Sequence, residues 1–431
     1  MARLSSTTFS RCSPLTATAE HSESPFTEAT ENPGVFFLPY TSSMTQSGTK
    51  ASDNRGLAGL TAGETSICAV NQTQLIYRGY EIADLAANAS FEEVAFLLLV
   101  GHKPSPQELA DFDARLKAAR TPPPAAIALI RDIAKSAPNT HPMSALRTAV
   151  SMAGHLDPEC EDNGPEAELA KSIRLTAMIP TLIGAHQTAL DGKDEVQPDP
   201  ELSHAGNLLW CMTGEKPGEL ATKVMDVSLV LYAEHDFNAS TFTSRVVAST
   251  NSDLHSSVCA AIGALKGNLH GGANEAAMDM LNEIMADTKD GALDVDAWMQ
   301  RAFEEKRKLM GFGHRVYKNG DHRAGILRDW GRKFAEAEKP SAMPLFELGD
   351  AVQGIMLRDK NIHPNVDFPC GMTYFSMGIP VPQYTPIFVA SRVTGWCAHI
   401  MEQHANNRII RPLAEYVGPE LSNWNDERST N

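Results

Sequence analysis

The sequence predicts a mainly α-helical chain with a large and a smaller helical domain. Three observations predict it. Helix-start devices recur along the chain, beginning with Ser90-Phe91-Glu92-Glu93 and Ser105-Pro106-Gln107-Glu108. Strand-like alternation is scarce after residue 80. No fixed-period repeat is present, which argues against a helical solenoid. With 42% hydrophobic residues over 431 positions, the chain has enough apolar material for a real core.

The elements follow in order. Residues 1–19 carry Arg3 and Arg11, many Ser and Thr, and no acid before Glu20 and Glu23. This reads either as an organelle-targeting segment or as a plain disordered leader. Polar, Gly- and Ser-rich sequence continues to residue 55, with Met44 as an internal start. Gly59–Tyr80 has β-type residues and turn signals and predicts a small hairpin. In the Ser90 box the hydroxyl can accept an amide hydrogen bond while Glu93 reaches back. An apolar run to Val100 follows, and Gly101 supplies the stop. Pro106 stands at the first position of the next helix. Helical patterns then cover 166–190, 203–213, 217–233, 253–265, 274–287, 295–310, 322–338, 344–358 and 387–405.

Charge narrows the function. There are 37 basic and 53 acidic residues, a net −16. Such a surface repels nucleic acid and anionic lipid, so an anionic ligand needs a local positive pocket. No stretch approaches eighteen uninterrupted apolar residues, which argues against a membrane span. Seven cysteines are widely spaced, without a Cys-x-x-Cys pair. That pattern suits a reduced protein without a structural zinc site.

Four polar breaks between apolar helices carry the chemistry. The first, Ala233–Thr241, brings His235 out of the apolar run VMDVSLVLY. The second, Gly267–Glu275, places His270 before two glycines, which let backbone approach a ligand closely. The third, Gly311–Arg323, frames His314 with glycines and adds Arg315, Lys318 and Arg323, a local excess of positive charge suited to carboxylate or phosphate. The fourth, Asn365–Gly371, sets Asp367 between Val366 and Phe368, where desolvation would make it a stronger base. Each also has a plain reading: core histidine, ordinary turn, solvated basic loop or helix cap. Arg392 lies inside the apolar helix around 386–405 and needs an anionic partner; Arg411, in Ile409–Pro412, poses the same question. Metal-ligand spacing of the His-x-x-x-His or Cys/His kind is absent. Three histidines, an aspartate and three arginines suggest acid/base work on a polycarboxylate.

These residues fall in segments that resemble the citrate synthases over residues 56–419: YRGYEIADLA, AEHDFNASTF, GNLHGGANEA, GFGHRVYK, NVDF, SRVTGWCAHIMEQ and NNRIIRP, in family order. Several segments, among them MDVSLVLYAEHDFNASTFTSRV, MGIP, TPIFV and ANNRIIRP, look especially like the 2-methylcitrate and alkylcitrate synthases. The 160–205 region looks like generic citrate synthase. The resemblance implies a homodimeric enzyme that condenses an acyl-CoA with oxaloacetate and then hydrolyses the thioester. It implies Asp367 as the base, His270 as hydrogen-bond donor to the thioester oxygen, and His314 as the group that polarises the oxaloacetate carbonyl. His235, Arg323, Arg392 and Arg411 would hold the carboxylates, Arg411 reaching in from the other subunit. Lys318 and Arg315 would face CoA phosphates. No cofactor or metal is implied, since acyl-CoA is a substrate.

The domain boundaries expected are a large domain of 56–274 plus 386–419, a small domain of 275–385, and a polar tail from 420 to 431. Two departures from the family pattern stand out. The family usually has Asp-Pro-Arg where this chain has Asp321-His322-Arg323. Pro369 and Cys370 follow Asp367-Phe368 where a sizeable residue is common, which would leave room for an acyl chain longer than acetyl. The expectation is therefore propionyl-CoA or a longer donor, giving 2-methylcitrate or an alkylcitrate. Ordinary citrate synthase with acetyl-CoA is the alternative, and a non-catalytic scaffold of the same fold a remote one. The compartment stays open between mitochondrial matrix and cytoplasm.

Overall fold

A computed structural model of the chain describes residues 57, 59–289, 292–422 and 424. The expected leader, residues 1–55, lies outside the described residues, as does most of the tail after 420. Of a first unit ending at Thr61, only Leu57, Gly59, Leu60 and Thr61 are described. Ala62–Asn431 forms a second unit.

That second unit opens with a three-stranded antiparallel meander, β1 (Cys68–Val70), β2 (Leu75–Tyr77) and β3 (Tyr80–Glu81), in the order β1-β2-β3. Ala69 pairs with Ile76, and Tyr77 with Tyr80. The expected hairpin thus gains a short third strand.

Helices follow: α1 (Ile82–Asn88), α2 (Phe91–Val100), α3 (Pro106–Ala118), α4 (Pro124–Ser136), α5 (Pro142–His155), α6 (Pro165–Leu190), α7 (His204–Thr213), α8 (Glu219–Tyr232), α9 (Ala239–Ala248), α10 (Leu254–Leu265) and α11 (Ala273–Ala286). A two-stranded pair, β4 (Thr288–Lys289) and β5 (Ala292–Leu293), precedes α12 (Val295–Glu304). Then come α13 (His322–Glu338), α14 (Met343–Lys360), α15 (Asp367–Ser376) and α16 (Tyr384–Ala405).

The devices read in the sequence are built as expected. Both capping boxes close, at Ser90/Glu93 and Ser105/Glu108, and Gly101 ends α2 in the left-handed region. The helix expected over 295–310 stops at Glu304. Lys306 turns left-handed at φ +54° and the backbone leaves the helix there. Helices α4 and α5 escaped the sequence reading although Pro124 and Pro142 mark their first turns.

Helix α16 is the central beam. Every residue from Tyr384 to Ile400 is buried, and α6, α8, α9 and α10 pack around it. Around α15 a second layer forms, with α13 and α11 against it and α14 beside it. The end of α8 reaches both layers because Gly395 of α16 has no side chain. A Cβ there would run into the Glu234 carboxylate and the Ala233 carbonyl. Among the described residues no helix is long and apolar enough to cross a membrane.

Candidate active site

The four breaks converge. Helix α8 ends at Tyr232, and the chain turns through Glu234 and His235 before α9. The turn after α10 carries His270, the loop before α13 carries His314, and Asp367 is the first residue of α15.

Asp367 is reached from α8. The Tyr232 hydroxyl donates to Asp367 Oδ1 at 2.9 Å, and the Asp367 amide is held by Asn365 Oδ1 at 3.1 Å. Burial pushes the Asp367 carboxyl up to about 6, against the lowering pull of the Tyr232 hydrogen bond and of Arg323. It is thus a stronger base than a solvated carboxylate and still mostly ionised at neutral pH. Gly311, at φ +83°, lets its loop lie against the start of α15; a Cβ there would meet Phe368 Cβ at 2.9 Å.

Hydrogen bonds decide which nitrogen of each histidine carries the proton. The Ser240 backbone N–H, which can only donate, faces His270 Nε2 at 3.3 Å, with the Ser240 hydroxyl at 2.8 Å. The ring proton of His270 therefore sits on Nδ1. The amides of Val316 and Tyr317 both donate to His314 Nδ1, at 3.1 and 3.2 Å, leaving its proton on Nε2. Burial lowers His270 to about 3, with the Arg392 charge adding to it. Burial lowers His314 to about 4, helped by Arg323. Both are neutral donors through the physiological range.

His235 stands beside His314 with ring centroids 5.1 Å apart. Its Nε2 lies 3.1 Å from the Tyr317 hydroxyl, and Tyr317 stacks on His314 at 4.5 Å. Burial, then the charge of Arg323, keeps His235 well below its ordinary value.

The two arginines differ. Arg323 forms a bidentate pair with Asp321, at 3.0 and 2.8 Å. Burial works against its charge, but the Asp321 pair outweighs it and holds Arg323 above its ordinary range. Its remaining amino group touches the Leu231 carbonyl at 3.4 Å. Arg392 spends its Nε on the Tyr232 carbonyl at 2.6 Å and lies over the Phe388 ring at 4.7 Å. Burial lowers it, opposed by the buried Glu234. Glu234 Oε2 is buried with no hydrogen-bond partner among the described residues. Among the described residues no hydrogen bond or ion pair engages the two terminal amino groups of Arg392, so its fork is available to an anion.

One contact chain runs through these groups. It goes from Asp367 through Tyr232 to Phe388, where Arg392 and His270 also lie, and from Leu231 through Arg323 and Tyr317 to His235 and His314. Six of the seven expected residues thus share one cluster. Arg411 does not join it; it is exposed on the segment after α16. Arg315 and Lys318 are exposed on the His314 loop, with Lys318 Nζ 3.3 Å from the His314 carbonyl. Tyr232, Ser240, Tyr317, Asp321 and Glu234 belong to the site and were missed in the sequence. Asp321, two positions before Arg323, was the one with a visible signal.

Comparison with known proteins identifies the family. The family model described as citrate synthase, C-terminal domain, matches residues 56–413. A citrate synthase of Deinococcus radiodurans is 42% identical over 378 residues, covering 86% of this chain and 97% of that protein. A 2-methylcitrate synthase of Shewanella oneidensis is 45% identical over 368 residues, covering 84% and 94%. Among solved structures, Pyrobaculum aerophilum citrate synthase superposes with a TM-score of 0.77 at 38% identity, over 86% of this chain and 93% of that one. A ternary complex of Thermoplasma acidophilum citrate synthase with carboxymethyl coenzyme A and oxaloacetate gives 0.80 at 30% identity, over 86% and 98%. The chain belongs to the citrate synthase family, acyltransferase-type enzymes that condense an acyl-CoA with oxaloacetate.

Proposed function

We propose that this enzyme joins propionyl-CoA, or a longer acyl-CoA, to oxaloacetate and water, giving 2-methylcitrate or an alkylcitrate plus CoA. The observation that carries the chemistry is the pairing of two neutral histidine donors with one raised carboxylate. Asp367 takes the α-proton of the thioester. A carboxylate removes such a proton only if the oxyanion that forms is stabilised in place. His270 Nδ1–H supplies that hydrogen bond, and one such donor is typically worth about 3–4 kcal/mol. The enolate carbon attacks the oxaloacetate ketone, whose oxygen takes the Nε2 proton of His314. Water then cleaves the thioester and CoA leaves. His235, Arg323 and Arg392 hold the dianion, with the partner subunit's Arg411 completing the set in a homodimer. Arg315 and Lys318 face the CoA phosphates. The large domain (56–274, 386–419) and the small one (275–385) close over oxaloacetate before the acyl-CoA reacts.

One observation favours a donor longer than acetyl, the 45% identity to the Shewanella 2-methylcitrate synthase. The second reading, acetyl-CoA, is favoured by the 42% identity to the Deinococcus citrate synthase. Thiol release measured across acetyl-, propionyl- and butyryl-CoA decides between them. The expected order puts propionyl-CoA or butyryl-CoA first in kcat/KM; acetyl-CoA ahead by tenfold or more would reject the proposal.

A further inference from the structure

Helix α10, whose far end delivers His270, begins at a second cluster that the condensation does not use. Cys160 sits in the turn between α5 and α6; Asp253 and His255 sit at the start of α10. Cys160 Sγ lies 3.6 Å from Asp253 Oδ1 and 3.9 Å from His255 Nδ1. All three donor atoms fall within 4.8 Å of one another.

We infer that Cys160, Asp253 and His255 form a binding site for a thiophilic divalent cation of the zinc class, with solvent as the fourth ligand. Zinc bonds of about 2.3 Å to sulfur and about 2.0–2.2 Å to nitrogen or oxygen, set tetrahedrally, put sulfur roughly 3.5 Å from each partner. The observed separations match that spacing to within a few tenths of an ångström. The donor set mixes thiolate, imidazole and carboxylate, which suits zinc better than magnesium or calcium.

The surroundings favour a ligating histidine. His255 is 2% exposed, and its second nitrogen, Nε2, has no hydrogen-bond partner among the described residues. That nitrogen faces Asp157 Oδ2 at 3.7 Å, and Asp157 is itself fixed by Arg174 at 2.8 and 3.0 Å. A carboxylate behind the outer nitrogen is how metal-bound histidines are oriented. The turn is held too, with Lys171 Nζ on the carbonyls of Cys160 and Asp162 at 3.0 and 2.5 Å. Cys160 and Asp253 are half-exposed, which leaves an entry path and a place for water. The expectation of no metal rested on spacing along the chain, and spacing cannot see donors 95 residues apart.

The test is a Co²⁺ titration of the reduced, metal-stripped full chain carrying Cys12→Ser, which removes the cysteine of the N-terminal segment. The expected result is one equivalent bound per chain, with the intense visible bands of a tetrahedral site and a near-ultraviolet thiolate-to-cobalt band, both displaced by Zn²⁺. Cys160→Ser loses the thiolate band, while Cys259→Ser keeps it. Asp253→Asn retains the helix cap, since Asn caps as well as Asp, so the protein stays folded and Co²⁺ binding weakens tenfold or more. Zn²⁺ raises the melting temperature of the parent and not of Cys160→Ser. Absence of the thiolate band in the parent, or an equal band in Cys160→Ser, overturns the assignment.

Discussion

The two ends of α10 use histidine in opposite ways. Beyond its C-terminal end, His270 has one nitrogen engaged by Ser240, and its ring lies near Phe388 and within reach of the Arg392 charge. At its N-terminal end, His255 sets its outer nitrogen toward Asp157 Oδ2, 3.7 Å away, and turns Nδ1 toward a thiol and a carboxylate. In the first case the network forces a neutral donor, the state needed to stabilise a developing oxyanion. In the second the ring nitrogen stands beside a carboxylate and a thiol that a metal ion would deprotonate, which suits a thiophilic cation. A buried histidine's role is set by what its other nitrogen touches, not by burial itself.

Truncation sharpens the contrast most. His270→Ala should lower kcat by about 10²–10³-fold, the usual cost of one oxyanion donor. His255→Ala should leave steady-state turnover within about threefold, because it touches none of the condensing groups. Matched losses in two folded variants would erase the distinction.

A smaller effect concerns stability. The folded-state value of Asp367 is raised from 3.8 to about 6. The native state therefore favours the protonated form, and ionisation costs stability as pH rises from below 4 through about 6. Asp367→Asn removes that cost. It should be more stable than the parent at pH 7.5, by up to about 3 kcal/mol, and the gain should vanish near pH 3.5. Denaturant melts at the two pH values check the sign.

The smallest effect is a shift of a pH limb. Asp367 must be ionised to act, so kcat/KM rises with pH through about 6. The Tyr232 hydrogen bond lowers that value. Tyr232→Phe should move the acid limb to higher pH and cost a few-fold in rate at pH 7. An unmoved limb would mean that Tyr232 only packs.

The same contrast explains what was legible. His235, His270, His314 and Asp367 lie in contiguous glycine- and asparagine-containing breaks, and local sequence exposes such breaks. Arg392 stood out because an arginine in an apolar helix needs a reason. Tyr232 was hidden, since a tyrosine ending an apolar run reads as core, and in fact it is both core and partner to Asp367. Ser240 was one polar residue among several in its break; its contact with His270 depends on how α9 meets the turn after α10. The Cys160 cluster was invisible because its members come from two distant turns. The helices were legible where caps announced them at α2 and α3, and less so at α12, where a left-handed Lys306 ends the element early.

The central claim is that Asp367 acts as the base and leaves the holding of oxaloacetate to its neighbours. Calorimetric titration of oxaloacetate into Asp367→Asn, alongside its thiol release with acyl-CoA, tests it directly. The account predicts oxaloacetate affinity within about threefold of the parent and condensation reduced by about 10²–10⁴-fold. A folded variant that fails to bind oxaloacetate, or that still condenses at the parental rate, would contradict it.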